Sequence, residues 1–407
     1  MSFTSGDATR WSDVYVVAGS RAVSVCGDFL AATTLALVLQ QSGHGGLAVS
    51  GLLLAASVPL ALLAPITGRL ADRADSRTIL TVVPLAQAVV CLALAFVSSP
   101  VAIIGLVTLL ACGLAFTQPV LSALLPEMVQ RRDLAKASGL SQTAGNIGML
   151  VAPALAGFLV GSTGARLPLL LDAASYLALV VAALFLRTRR KGLKAHQADL
   201  AKWRLRDDRT LTVMIGVLAA TIAGVSAINV FEVFFIRDTL GASTTVFGLV
   251  AASWTAGMLL GNVIFSRVPP HRISVPAVLM VVAGSCLPMV VGATVPGPGW
   301  LFPLWIAGGI CNGGINVFVM VIIAGRTPGS VHGRAFAALG AAVQGAGVIG
   351  LLAAGPLVDQ FDARLLVAAA GAFGLVMTLA GALVVRREPP SDPVASGSVP
   401  VRDSVAA

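Results

Sequence analysis

The residues with the most chemistry to offer are acids set inside long apolar stretches. Asp28 follows Arg21 by seven residues, with Ser24 between them. In a helix that is about two turns, so the three share a face and the two charges lie roughly 10 Å apart. Ser226, Asn229 and Glu232 step by three residues, and Asn312 and Asn316 form an i, i+4 pair. Trp254 reads as the only tryptophan deep in an apolar stretch. Amides and tryptophans in such places often serve helix contact. An unpaired acid is different, because its charge must be offset by a proton or a partner. A carboxylate held out of water favours its neutral form, which suits Asp28 to exchange a proton, with Glu232 the second candidate. Asp172 and Asp359 fall near the ends of their stretches, where water is expected to reach them.

Other chemistries find no footing. There is no Gly-x-x-x-x-Gly-Lys-Ser/Thr loop for a nucleotide phosphate. The histidines His44, His196, His271 and His332 fall in or beside polar segments, and none pairs with Cys or acid at metal-ligand spacing. The apolar stretches offer no Ser-His-Asp set. Cys26, Cys91, Cys112, Cys286 and Cys311 all lie in apolar stretches and are odd in number, so they read as small buried apolar residues. No enzyme activity, cofactor, metal site or disulfide is expected.

The elements that must position these residues are membrane-length helices. Apolar residues make up 57% of the chain and charged residues 11%, with a mean hydropathy of +0.91. A soluble domain carries about 25% charged residues. Twelve segments are long enough to span a bilayer: 15–40, 47–69, 78–97, 101–125, 135–161, 166–186, 211–236, 244–266, 274–294, 300–324, 333–358 and 364–385. The stretch Arg187 to Arg209 carries nine basic and three acidic residues and cannot sit in hydrocarbon. It divides the chain into a six-helix bundle over 1–186, a central loop over 187–210 and a second bundle over 211–387. A Pro/Ser-rich tail over 388–407 is expected to be disordered. Leu200 and Trp203 in the loop leave a short surface helix and a plain linker as open alternatives.

Charge sets the orientation. With both ends on one side, 23 of the 27 basic residues fall on that side. The positive-inside rule makes it the cytoplasm of a multi-pass protein of the inner (plasma) membrane. The net charge of +9 is explained by these loops, so no nucleic-acid partner is expected. The first apolar stretch is long and interrupted by Arg21 and Asp28, which argues against a cleaved leader.

Three stretches carry a family resemblance. Between the second and third segments the chain reads Gly68-Arg69-Leu70-Ala71-Asp72-Arg73-Ala74-Asp75-Ser76-Arg77. This resembles the signature loop of the major facilitator superfamily, departing from it at Asp75 and Ser76. The resemblance implies a gate role for Gly68, Asp72, Arg73 and Arg77, with Asp72 facing basic groups or a helix N-terminus across the two halves. In the fifth segment Gly148, Pro153 and Gly157 match the Gly-Pro-Gly pattern of family exporters. Gly27-Asp28 opening an apolar run, and Gln118-Pro119 followed by Leu125-Pro126-Glu127, resemble the macrolide-efflux and enterobactin-exporter-like branches. The likeness covers most of the first half and is weaker in the second. The arginine motif that many drug–proton antiporters carry in helix 4 is absent.

The resemblance implies an all-α fold of two six-helix bundles around a central cavity. It also implies secondary transport by alternating access. Arg21, Ser24, Asn229, Trp254, Asn312 and Asn316 are expected to line the cavity, with Asp28 and Glu232 coupling protons. Acids, amides and apolar walls suit proton-driven efflux of a small amphipathic or cationic compound such as a drug, by a monomer in the bilayer. Export of a specific metabolite such as a siderophore is the alternative. A membrane sensor or lipid scramblase is a remote one.

Overall fold

The computed structural model describes residues 9–73, 75–130, 132–186, 208–327 and 332–386. Within them lie twelve helices long and apolar enough to cross a membrane. They are α1 (Trp11–Gln41), α2 (Gly45–Arg73), α3 (Ser76–Leu94), α4 (Pro100–Met128), α5 (Leu134–Thr163) and α6 (Arg166–Phe185) in the first half. The second half holds α7 (Arg209–Phe234), α8 (Thr244–Phe265), α9 (Val275–Gly292), α10 (Leu301–Arg326), α11 (His332–Gln360) and α12 (Ala363–Arg386). The central loop and the tail beyond 386 lie outside the described residues.

Polar residues at the helix ends set the boundaries. Asp75 caps α3 by accepting from the Arg77 backbone N–H at 2.9 Å, which gives its departure from the family pattern a local use. Asp208 caps α7 by accepting from the Leu211 N–H at 2.9 Å, and also pairs with Arg326 at 3.1 Å. Gly43 and Gly45 take φ of +72° and +73°, and that left-handed backbone lets α2 follow α1 almost at once. After α7 the chain widens into one π-turn, Phe235–Thr239.

The helices pair in a repeating scheme. α1 packs on α5 and α6, α2 on α4, and α3 on α4 and α6. Adding six to each number gives the contacts of the second half: α7 with α11 and α12, α8 with α10, α9 with α10 and α12. Between the halves, α5 meets α8 and α11 meets α2. Two six-helix bundles related by a pseudo-twofold axis are the parallel-repeat arrangement. Val89, Phe158, Phe185 and Leu379 point outward and are more than half exposed, as side chains facing lipid must be.

Among the described residues, contacts between the two bundles gather toward one end. Call the side holding the α1 start and the α12 end the terminal side, and the other the distal side. Hydrogen bonds join the bundles in the distal half. Gln40 donates to Asp238 at 2.7 Å, Ser50 to the Leu351 carbonyl at 2.5 Å, and the Gly46 N–H to Asp359 at 2.6 Å. Glycines make these crossings close. A Cβ on Gly157 of α5 would meet the Thr244 carbonyl and lie 3.2 Å from the Gly248 Cα of α8. Gly355 of α11 sits in the same way against α2, where a Cβ would lie 3.2 Å from the Gly46 carbonyl oxygen.

Asp359 places a carboxylate on the N-terminus of α2, where helix dipole and free N–H groups favour it. Asp359→Ala is expected to weaken the distal contact by about 1 kcal/mol and shift the bundles toward distal opening. Spin labels at Ser98 and Phe361, one on each bundle, should then show a longer-distance population. An unchanged distribution would mean that the contact does not hold the bundles together.

Candidate functional site

A cavity of about 360 Å³ lies between the bundles, under the distal closure. Phe29 and Thr33 of α1 and Met149 and Pro153 of α5 face it from the first bundle. Asn229 and Glu232 of α7, Trp254 of α8 and Asn312 of α10 face it from the second. The three-residue step along α7 thus puts its amide and acid on the cavity wall. Asn229 also borders an adjoining pocket with Ser226, Ser57 and Gln344, between α2, α7 and α11. Trp254 lies close enough to α10 that a Cβ on Gly308 would be 2.6 Å from its ring.

Glu232 is held by a residue absent from the sequence reading. Trp305, 2% exposed near the start of α10, donates its indole N–H to Glu232 Oε1 at 2.8 Å. Trp254 is therefore not alone as a deep tryptophan. Among the described residues no Arg, Lys or His lines the cavity.

Asp28 occupies a separate setting. It lines a small, mostly apolar pocket of about 70 Å³ inside the first bundle, with Asp172 and Tyr176 of α6. The Tyr176 hydroxyl donates to Asp28 Oδ1 at 2.6 Å. Asp172 is fully buried, contrary to the expectation that water reaches it. It lies nearly two turns inside α6 and turns toward α1 and α3, where Ser175 donates to it at 3.2 Å and Cys91 at 3.1 Å. Cys91 is thus a hydrogen-bond donor as well as a small apolar filler. Gly27 makes room for this acid, since a Cβ there would overlap Asp172 and Ser175. Ala32 and Leu53 border both this pocket and the larger cavity, so the two are neighbours.

The remaining candidates go elsewhere. Arg21 leans toward α5, donating to Gln142 at 3.4 Å and covering Gly145, and makes no ion pair with Asp28. Ser24 is buried and outside the cavity lining. Asn316 is exposed, one turn nearer the terminal side than Asn312, and also outside the lining. Asp359 is exposed, as expected, but bound to α2. Gly68, Asp72 and Arg73 belong to the last turns of α2, and their side chains fall outside the described residues. Arg77 donates to the Leu184 carbonyl of α6 at 2.7 Å. In α5, a Cβ on Gly148 would meet the Ala22 carbonyl and lie 3.0 Å from Cys26 N, so this glycine seats α5 on α1. Gly350 seats α11 on Ala223 of α7 in the same way, which extends the glycine pattern to the second half.

The signal for Asp172 and Tyr176 was in the sequence. Asp172, Ser175 and Tyr176 stand at i, i+3 and i+4, one polar stripe in an otherwise apolar helix. Tyr176 is also one of only two tyrosines in the chain, which marks it out further.

A family model described as the Major Facilitator Superfamily matches residues 17–236 and 213–407. The chain belongs to this superfamily. It is 23% identical over 369 residues to the MFS-type transporter YfiS of Bacillus subtilis (strain 168), spanning 85% of this chain and 87% of that one. It is 27% identical over 150 residues to macrolide efflux protein A of Streptococcus pyogenes, 36% of this chain and 37% of that one. Two solved structures share its fold. A bacterial homolog of the human lysosomal transporter Spinster, inward-facing and occupied, superposes with a TM-score of 0.75 at 13% identity, over 95% of this chain and 100% of that one. The nucleoside transporter NupG gives 0.73 at 14%, over 92% and 100%. Membership and twelve spanning helices make the chain a multi-pass membrane transporter of small molecules, not an enzyme.

Proposed function

We propose that this transporter exports small amphipathic or cationic compounds in exchange for protons, by alternating access. The observation that carries the reading is Glu232: an acid on the cavity wall, with amides and aromatic rings around it and no basic residue. A cation entering there meets the one charge the cavity offers. Asp28 and Asp172 supply a second acidic site in the first bundle, also without a cation among its lining residues. A carboxylate so placed is costly unless it takes up a proton, and giving that proton up costs the same stability again. Glycine crossings at Gly157 and Gly355 act as pivots, and export requires the distal contacts to part. The similarity to macrolide efflux protein A and the Gly-Pro-Gly pattern of α5 support the outward direction.

Cells overproducing the protein should hold less ethidium at steady state than vector controls, and dissipating the proton gradient should erase the difference. Equal accumulation across a panel of lipophilic cations would count against the proposal.

The basic residues support a plasma-membrane location with both termini cytoplasmic. A cysteine placed at His44 should label with an impermeant thiol reagent in intact cells, and one at Ala198 should not. The reverse pattern would invert the orientation. Charges that stray to the distal side have structural work: Arg364 donates to the Ala293 and Val295 carbonyls at 3.1 and 3.2 Å, and Arg237 to the Ala242 carbonyl.

A further inference from the structure

The cavity's carboxylate has one oxygen already engaged. Trp305 donates to Glu232 Oε1, while Oε2 accepts no hydrogen bond among the described residues. The donor is itself immobilised. Trp305 is 2% exposed, and its ring fills the hollow left by Gly292 of α9, where a Cβ would lie 2.6 Å from the ring. Glu232 therefore cannot swing freely: a ring clamped between α9 and α7 holds it from one side. Glu232 lines the cavity together with Phe29, Phe247, Trp254 and Trp305, which stand among aliphatic residues. Aromatic faces attract cations, more strongly where water is excluded.

We infer that Trp305 is a positioning residue. It fixes Glu232 with its free oxygen turned into the cavity, and so selects bulky organic cations over neutral molecules of like shape. This rests on the proposed cation reading of the cavity and adds the residue that sets its selectivity. A free glutamate would adopt several rotamers and lose entropy on binding; a clamped one has lost it on folding.

Binding is measured on the full-length protein in lipid nanodiscs, with tetraphenylphosphonium as the cationic probe and triphenylphosphine oxide as the neutral one. Trp305→Phe keeps a ring and removes the N–H. It should weaken tetraphenylphosphonium about tenfold and leave the oxide within about twofold. Glu232→Gln should weaken the cation at least as much. It should also move the Trp305 indole N–H resonance of ¹⁵N-indole-labelled protein, assigned by its loss in Trp305→Phe. A purely structural tryptophan does not predict the selectivity between the two probes, and an unmoved resonance would show that Glu232 is not its acceptor. Wild-type cation affinity in Trp305→Phe, with loss in Glu232→Gln, would overturn the positioning role and leave the cation reading standing. Equal weakening of both probes in Trp305→Phe would make it a packing residue. No tetraphenylphosphonium binding by the wild type, or no loss in Glu232→Gln, would overturn the cation reading and this inference with it.

Discussion

Asp28→Asn is expected to abolish proton-driven, uphill efflux while leaving folding and downhill substrate exchange in place. The asparagine oxygen can still accept from the Tyr176 hydroxyl, which bonds Asp28 at 2.6 Å, so the helix contact survives. What disappears is the group that can gain and lose a proton. Asp28 shares its pocket with Asp172 and no cation. The nearest basic group on α1, Arg21, is engaged with Gln142 of α5. An exchange of charges, Arg21→Asp with Asp28→Arg, should therefore fail to restore activity. It would put a guanidinium into the small, mostly apolar pocket beside Tyr176 and Asp172. Restoration by the exchange would show that the two residues pair during the cycle. Uphill efflux surviving in Asp28→Asn would move coupling to another acid, with Asp172 and Glu232 next in line.

Glu232→Gln should raise the half-saturating concentration of cationic substrates roughly 30-fold and leave neutral ones nearly unchanged. The amide keeps the size of the side chain and can still accept from Trp305, so the cavity keeps its shape. Only the charge is removed, and only a cation loses by it. Transport assays with matched charged and neutral substrates read the difference directly. Equal losses for both would assign Glu232 to helix packing.

Much of the fold was legible because its signal is long. A run of about 20 apolar residues is hard to mistake, and each of the twelve segments coincides with a helix to within a few residues. The ends were less legible. Helix α1 starts at Trp11, before the expected 15, because Asp13 is a favourable acid in a first helical turn. The wide turn after Phe234 carries no periodicity that marks it. Within the site, Asn229 and Glu232 were legible because helical spacing alone puts them on one face. The contacts of Glu232 with Trp305, and of Asp28 with Tyr176, were not, because both partners come from other helices. Sharing a face with Asp28 said nothing about where Arg21 would lean. That was decided by the opening beside Gly145 on α5, which a sequence pattern along α1 cannot contain.

Exchange of a cation for protons is tested most directly by proton flux in proteoliposomes. Purified protein is reconstituted with a pH-sensitive dye trapped inside and no imposed pH gradient, and tetraphenylphosphonium is added outside. The account predicts that inward movement of the cation drives protons out, so the lumen becomes alkaline. Asp28→Asn liposomes should show no such change beyond that of protein-free vesicles, and Glu232→Gln liposomes should need about 30-fold more cation to show it. Radiolabelled cation uptake by the wild type with no change of internal pH would contradict proton coupling. Acidification of the lumen alongside uptake would contradict exchange and make the protein a symporter.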